Sequence, residues 1–238
     1  MKDFTVSVKK LTDEDLLREA CESTFLGKSH ASLLSLYKAE HSPVRTQMFW
    51  IKFKTIPLFI STHLLRHHVG SVPFQLTCRD DRKGGNPGVK GKCGNIVQNL
   101  RTAFESVDDS PATVQEKIAT TIEEVEWLAE NSDRYTSVNL SLLVNAQSLI
   151  DMSKLRICWQ AHPETRIVFN KLKEAMKEVD PDLAKMMVRK CVYRASLCGE
   201  QRCCGFNSTK AFLDEWEEYA SNFTQKQKGL INFTEERQ

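Results

Sequence analysis

Three consecutive residues, Arg66-His67-His68, close an apolar run and are followed by Arg79 and Arg82 across the segment SVPFQLTCR. Guanidinium groups fork onto phosphate oxygens, and histidine and hydroxyl groups add directional bonds, so the cluster suits a phosphate-bearing ligand. The plainer alternative is a basic turn whose charges are solvated. A second set lies in residues 145–166, NAQSLIDMSKLRICWQAHPETR. On a helix, steps of four, three and four put Asn145, Leu149, Met152 and Arg156 on one stripe, so Asn145 and Arg156 point the same way along roughly 16 Å of axis. An arginine on an apolar stripe is costly to bury without an anion. Alternatively it reaches from the stripe's edge to a carboxylate such as Glu164.

The chain has eight cysteines, and Cys191, Cys198, Cys203 and Cys204 fall within fourteen residues of one another. Three or four thiolates so placed suit a tetrahedral zinc, with Cys158 or His162 completing the set from a neighbouring helix. The spacing is looser than paired CxxC knuckles, and a group of buried or incidental thiols is the alternative. Cys78, inside the SVPFQLTCR segment, invites reading as a nucleophile, but a small filler residue is the simpler reading.

The elements that must position these residues are read from periodicity. Phe4, Val6 and Val8 alternate with polar residues as a short strand. Thr12 and Asp15 resemble a capping box opening a helix through Leu16, Leu17, Ala20 and Cys21. A helix over 32–39 ends at Ser42-Pro43. Residues 48–54 form a strand, and Pro57 starts a helix carrying Leu58, Ile60, Leu64 and Leu65. Residues 80–111, with DDRKGGNPGVKGKCGN and DDSP, read as a surface loop or insertion. Ile118, Ile122, Val125, Trp127 and Leu128 restore helical periodicity, and from Val138 onward the pattern reads as mostly helical. Pro163 marks a kink and Pro181 a new start. A Cys-rich C-terminal extension occupies about 185–238, with a polar, frayed tail after Asn222. The expected fold is α+β, mainly helical, in a single domain over 1–238.

Length and composition bound the function. At 238 residues, 41% hydrophobic and 27% charged, the chain reads as an ordinary soluble globular protein. Its formal net charge of +2 argues against a dedicated non-specific nucleic-acid binder while leaving room for a local basic pocket. The first residues lack an apolar run of signal-peptide length, and the apolar stretch near 56–65 is too short and interrupted to span a bilayer, so a cytoplasmic location with free thiols is expected.

In order and spacing, the segment EHSPVRTQMFWIKFKTIPLFISTHLLRHHVGSVPFQLTCR resembles the first signature of the flavin-dependent thymidylate synthases. That signature is a His- and Pro-containing turn, a strand, a helix ending Arg-His-Arg, then Ser, any residue, Arg. Asn145, Ser148, Leu149, Leu155, Arg156, Ala161, Glu164 and Arg166 stand at the spacings of the family's second signature without a gap. The resemblance spans roughly 1–79 and 112–178. It implies a mainly helical fold with a small antiparallel sheet. It implies FAD contacts at Arg66, His67, His68 and Asn145, a deoxyuridine monophosphate loop at Gln75, Thr77 and Arg79, and Arg156 reaching the pyrimidine and phosphate. The implied reaction moves a one-carbon unit from methylene-tetrahydrofolate to C5 of the uracil through flavin reloaded by NADPH, in a homotetramer with flavin between subunits. No protein nucleophile is required, so the protein supplies orientation and electrostatics.

The departures from that pattern matter. His68 stands where the family has arginine, and His63 where it has glutamine. The Arg66–Arg79 spacing is one residue longer, Asp80 replaces a tyrosine, and Gln147 replaces an arginine. The stretch 134–145 is several residues shorter. Two lost arginines and an added aspartate lower the positive charge of a site meant for polyanions. The expected function is methylation or hydroxymethylation at C5 of a pyrimidine deoxynucleotide. A non-catalytic nucleotide-binding or regulatory protein on the same fold is the alternative. Setting the resemblance aside, a third reading takes the Gly/Lys loop 83–92 and the cysteine cluster as a small zinc-containing nucleic-acid module.

Overall fold

A computed structural model describes residues 4–24, 29–76, 89–105, 110–131 and 136–223. Thr77, Cys78, Arg79 and Arg82 lie outside the described residues. Four antiparallel strands form one sheet in the order β1-β2-β4-β3, with β1 at Thr5–Lys10, β2 at Met48–Pro57, β3 at Ser71–Gln75 and β4 at Ser137–Asn145. Alternation builds its buried face. Phe49, Ile51 and Phe53 of β2 and Val138, Leu140, Leu142 and Val144 of β4 turn inward, leaving Trp50, Lys52, Ser141 and Leu143 on the other side.

The expected α+β, mainly helical class with a small antiparallel sheet is what the chain adopts, but several elements differ from their sequence reading. Residues 137–145 form a central strand rather than part of a helix. Leu143 puts an apolar residue on the outward face and blurs the alternation there. Residues 71–75 are an edge strand rather than a loop, and an edge tolerates Pro73. Helix α1 (Glu14–Glu22) is capped by Asp13, whose carboxylate accepts from Leu16 N. Thr12 is no cap: its hydroxyl donates to Thr46 O and accepts from Met48 N, fixing the start of β2.

Helix α2 (Leu33–Ala39) ends at Glu40 in the left-handed region, φ 50°. It is held down by the buried Tyr37, whose hydroxyl donates to Asp180 at 2.8 Å. Helix α3 (Leu58–Leu65) starts directly from Pro57 at the end of β2. Within the stretch read as a loop, Val89–Glu105 forms helix α4, which packs on α5 (Pro111–Asn131) as an antiparallel hairpin.

Helix α6 (Ala146–Arg156) follows β4 without a linker, and α7 runs over Pro163–Val179. Pro163 is a new start, not a kink, because it sits in the first turn of α7, where its missing N–H costs nothing. Pro181 opens α8 (Pro181–Met186) as expected, and α9 (Lys190–Tyr193) and α10 (Lys210–Ser221) are the last helices among the described residues. One core joins the inward sheet face to Leu149, Met152, Val168, Phe169, Leu172 and Met176, and none of its members among the described residues comes from the α4–α5 hairpin. No described helix is long and apolar enough to cross a membrane.

Candidate anion-binding site

Helix α3 ends at Arg66, and the chain turns through His67–Gly70 into β3. The β3–β4 register sets Ser71 opposite Val144, so this turn arrives beside Asn145, where β4 becomes α6. Two bonds lock the two segments and a third braces the start of α6. Asn145 N donates to Gly70 O (3.0 Å), Ser148 Oγ donates to Val69 O (2.6 Å), and Asn145 Oδ1 caps α6 by accepting from Ser148 N (2.9 Å). Gly70 has φ +69°, and a Cβ there would collide with Asn145 Nδ2 and Ser148 Oγ. Only glycine meets both demands at once.

At the far end of α6, Arg156 Nε donates to His67 Nε2 at 2.8 Å. Asn145 and Arg156, the two ends of the expected stripe, therefore both reach the Arg66–Gly70 turn. Leu149 and Met152 between them are fully buried. The alternative partner for Arg156, Glu164, is not used, and Glu164 Oε2 is buried without a hydrogen-bond partner. Burial first, then the Arg156 charge, holds His67 down to about 4. At neutral pH the ring is uncharged. Because Nε2 accepts from Arg156, its proton sits on Nδ1. Burial first, then the nearby Arg66 charge, lowers the Arg156 pKa from its ordinary value, and the guanidinium stays charged.

A cleft of about 380 Å³ is bounded by Arg45, Arg66, His67, His68, Gly70, Asn145, Gln147, Ser148 and Asp151, and Arg156 stands behind it, bonded to the lining residue His67. Of the expected cofactor-binding residues, Arg66, His67, His68 and Asn145 all border it. His68 is exposed, with Nδ1 lying 3.3 Å from Arg66 O. Gln75 does not border the cleft. β3 carries it four residues beyond Ser71, roughly 13 Å along the strand. Thr77 and Arg79 lie outside the described residues. A larger cavity of about 510 Å³ is lined by Cys21, His30, His41, Pro43 and Val44 among others, with no arginine or lysine among its described lining residues. Its chemistry does not suit a phosphate.

Sequence reasoning missed the opposite wall of the cleft. Arg45 comes from the SPVRT turn before β2, and the His-Ser-Pro-Val-Arg string was the available signal. Gln147, at the position of a family arginine, donates through Nε2 to Glu40 (2.6 Å) and Asp151 (3.3 Å). Lys154 bonds both carboxylates and lies 3.8 Å over the Tyr193 ring. Glu40 reaches this network through its left-handed backbone, which no periodicity announces. The wall is therefore a neutralised, mostly polar surface facing a cationic one.

The cysteine segment is different. Among the described residues, no group of three or more His, Cys, Asp or Glu is placed to hold a metal ion. The zinc set expected at Cys191, Cys198, Cys203 and Cys204 is corrected accordingly. Cys203 is exposed, its thiol donating to Asn207 Oδ1 and accepting from Gly205 N. Burial pushes the Cys191 thiol up to about 11 and also raises Cys158.

No protein-family model and no curated protein matches the chain. Among solved structures it is similar to thymidylate synthase X from Helicobacter pylori, solved with FAD and dUMP. That likeness has 17% identity and a TM-score of 0.49, covering 77% of this chain and 100% of that one. It is also similar to a UMP/dUMP methylase from Streptomyces cacaoi bound with 5-Br dUMP, with 17% identity and a TM-score of 0.48, covering 78% of this chain and 95% of that one.

Proposed function

We propose that the chain is a divergent flavin-dependent thymidylate synthase that binds a pyrimidine deoxynucleotide such as dUMP together with FAD at the Arg66–Arg156 corner. It transfers a methyl or hydroxymethyl group to C5 of the base. The observation that carries the reading is the 2.8 Å bond from Arg156 to His67, which ties the two signature segments together beside the cleft that Arg66, His67 and Asn145 line.

The residues fit the anionic part of such ligands. Arg45 and Arg66 line the cleft, and Arg156 keeps its terminal guanidinium nitrogens free of His67, whose bond takes Nε alone. A cleft of about 380 Å³ has room for a mononucleotide or for part of a dinucleotide, and the flavin is assigned to a place between subunits of a homotetramer through the resemblance alone. FAD, when bound, supplies the redox chemistry, with NADPH and methylene-tetrahydrofolate as co-substrates. The chain's own residues orient and neutralise: Arg66 and Arg156 hold phosphate, neutral His67 offers its Nδ1–H, and Asn145 fixes the turn. Gln75, Thr77 and Arg79 are assigned to the nucleotide through the resemblance. The whole of 1–238 is taken as one domain acting in the cytoplasm.

A second reading, nucleotide binding without turnover, is favoured by His68. Its exposed ring lies beside the Arg66 carbonyl where the family has an arginine. The purified full chain decides between the two. A flavin absorption band plus thymidylate or hydroxymethyl product from dUMP, methylene-tetrahydrofolate and NADPH supports the enzyme. Bound FAD and dUMP with no product under any one-carbon donor selects the second reading. Colourless protein that takes up neither added FAD nor dUMP overturns both.

A further inference from the structure

Glu40, Gln147, Asp151 and Lys154 form one network on the wall opposite Arg66, and its donors are consumed within it. Both hydrogens of Gln147 Nε2 go to carboxylates, Glu40 Oε2 at 2.6 Å and Asp151 Oδ2 at 3.3 Å. This pairing fixes the amide, since turning it over would set its oxygen against two carboxylates. Lys154 Nζ donates to both oxygens of Glu40 (3.3 and 3.1 Å) and to Asp151 Oδ1 (3.1 Å). What is left over is accepting capacity. Gln147 Oε1 is buried without a hydrogen-bond partner. Asp151 is exposed and borders the cleft, and among the described residues each of its oxygens accepts one bond where it can accept two. Charge agrees, because two carboxylates, Glu40 and Asp151, face one ammonium, Lys154, which leaves one negative charge in excess. That carboxylate shares its space with the cationic side, and its field reaches His67.

We propose that the nucleotide this cleft prefers carries cytosine rather than uracil, with Asp151 reading the amine at position 4 of the ring. The inference rests on the nucleotide-binding reading above and narrows it. A phosphate belongs on the cationic side, where Arg45 and Arg66 line the cleft and neither is in an ion pair among the described residues. The base then meets the Asp151 wall. At position 4 uracil presents a carbonyl, which accepts, and cytosine an amine, which donates. Against a carboxylate the carbonyl brings two acceptors together, while the amine completes a charge-assisted bond. The N3–H of uracil also donates, but it is flanked by two carbonyls, so a carboxylate that reaches it meets a ring oxygen as well. The family's arginine at position 147 would favour the opposite choice, since a guanidinium only donates. Gln147, with its nitrogen already engaged, adds no donor there. The nucleotide dUMP still enters through its phosphate, but binds more weakly.

Calorimetry of the full chain with dCMP and with dUMP is the test. The wild type is expected to bind dCMP about tenfold more tightly, the discrimination that one good polar pair gives between bases. Asp151→Asn, which supplies an amide donor, is expected to erase or reverse that preference. Gln147→Arg, whose guanidinium occupies both carboxylates, is expected to shift it in the same direction. Each readout is a ratio of two affinities in one sample, and the wild-type ratio decides the matter even if a variant misfolds. Wild type that binds dUMP as tightly as dCMP, or a ratio that neither variant moves, overturns the inference and leaves the nucleotide reading standing. Binding of neither nucleotide overturns both.

Discussion

The turn Arg66–Gly70 with helix α6 and the segment Cys191–Cys204 are both dense in ligand-binding side chains, yet only the first is braced from two sides. Its residues come from elements joined by an antiparallel register, a capped helix and a glycine that admits no side chain. The cysteines sit on a one-turn helix and the turns after it, where Ala195 and Ser196 both adopt positive φ and local hydrogen bonds take up the backbone. Ligand-binding residues far apart in sequence converge when paired strands carry them. Those close in sequence need not converge.

That contrast is broken most forcefully at Gly70. Gly70→Ala forces a Cβ into Asn145 and Ser148 at a left-handed backbone position, so a loss of about 2–4 kcal/mol in urea-unfolding stability is expected, together with loss of dUMP binding. Arg156→Met removes the charge while keeping bulk. Calorimetry should show dUMP affinity falling about 30-fold with stability little changed, since a charge-assisted bond contributes about 2 kcal/mol.

Acid should act on the same corner. The folded value of His67, about 4, lies below its ordinary 6.5, so its contribution to stability is fully present above pH 6.5 and is lost as pH falls toward 4. The expected loss is on the order of 1–3 kcal/mol. NMR titration should find the His67 ring still neutral at pH 5, and a midpoint near 6.5 would break the argument. The smallest effect belongs to the other region. Cys203→Ser, or prolonged chelation of the wild type, should change stability by less than about 0.5 kcal/mol. A large fall in Tm on chelation would erase the contrast between the two regions.

Much of the body was legible. Phe49, Ile51 and Phe53 announce β2, Leu17 and Cys21 announce α1, and the helix read over 32–39 is α2, whose cap at Ser32 the structure supplies. Helix α4 was hidden by Gly91 and Gly94, which read as loop when no core contact is known. Strand β3 was hidden by being short and at an edge. At the candidate site, Arg66, His67, Asn145 and Arg156 were singled out by type and spacing, and the structure brings them to one corner. Arg45, Glu40, Asp151 and Lys154 join them only through tertiary contacts that no local pattern records.

The most direct measurement is a double-mutant cycle between His67→Ala and Arg156→Met, read as dUMP affinity. One cleft sharing one hydrogen bond predicts a coupling of about 1–2 kcal/mol between the two sites. Effects that add within about 0.3 kcal/mol would mean the two segments act on no common ligand, and would contradict the account.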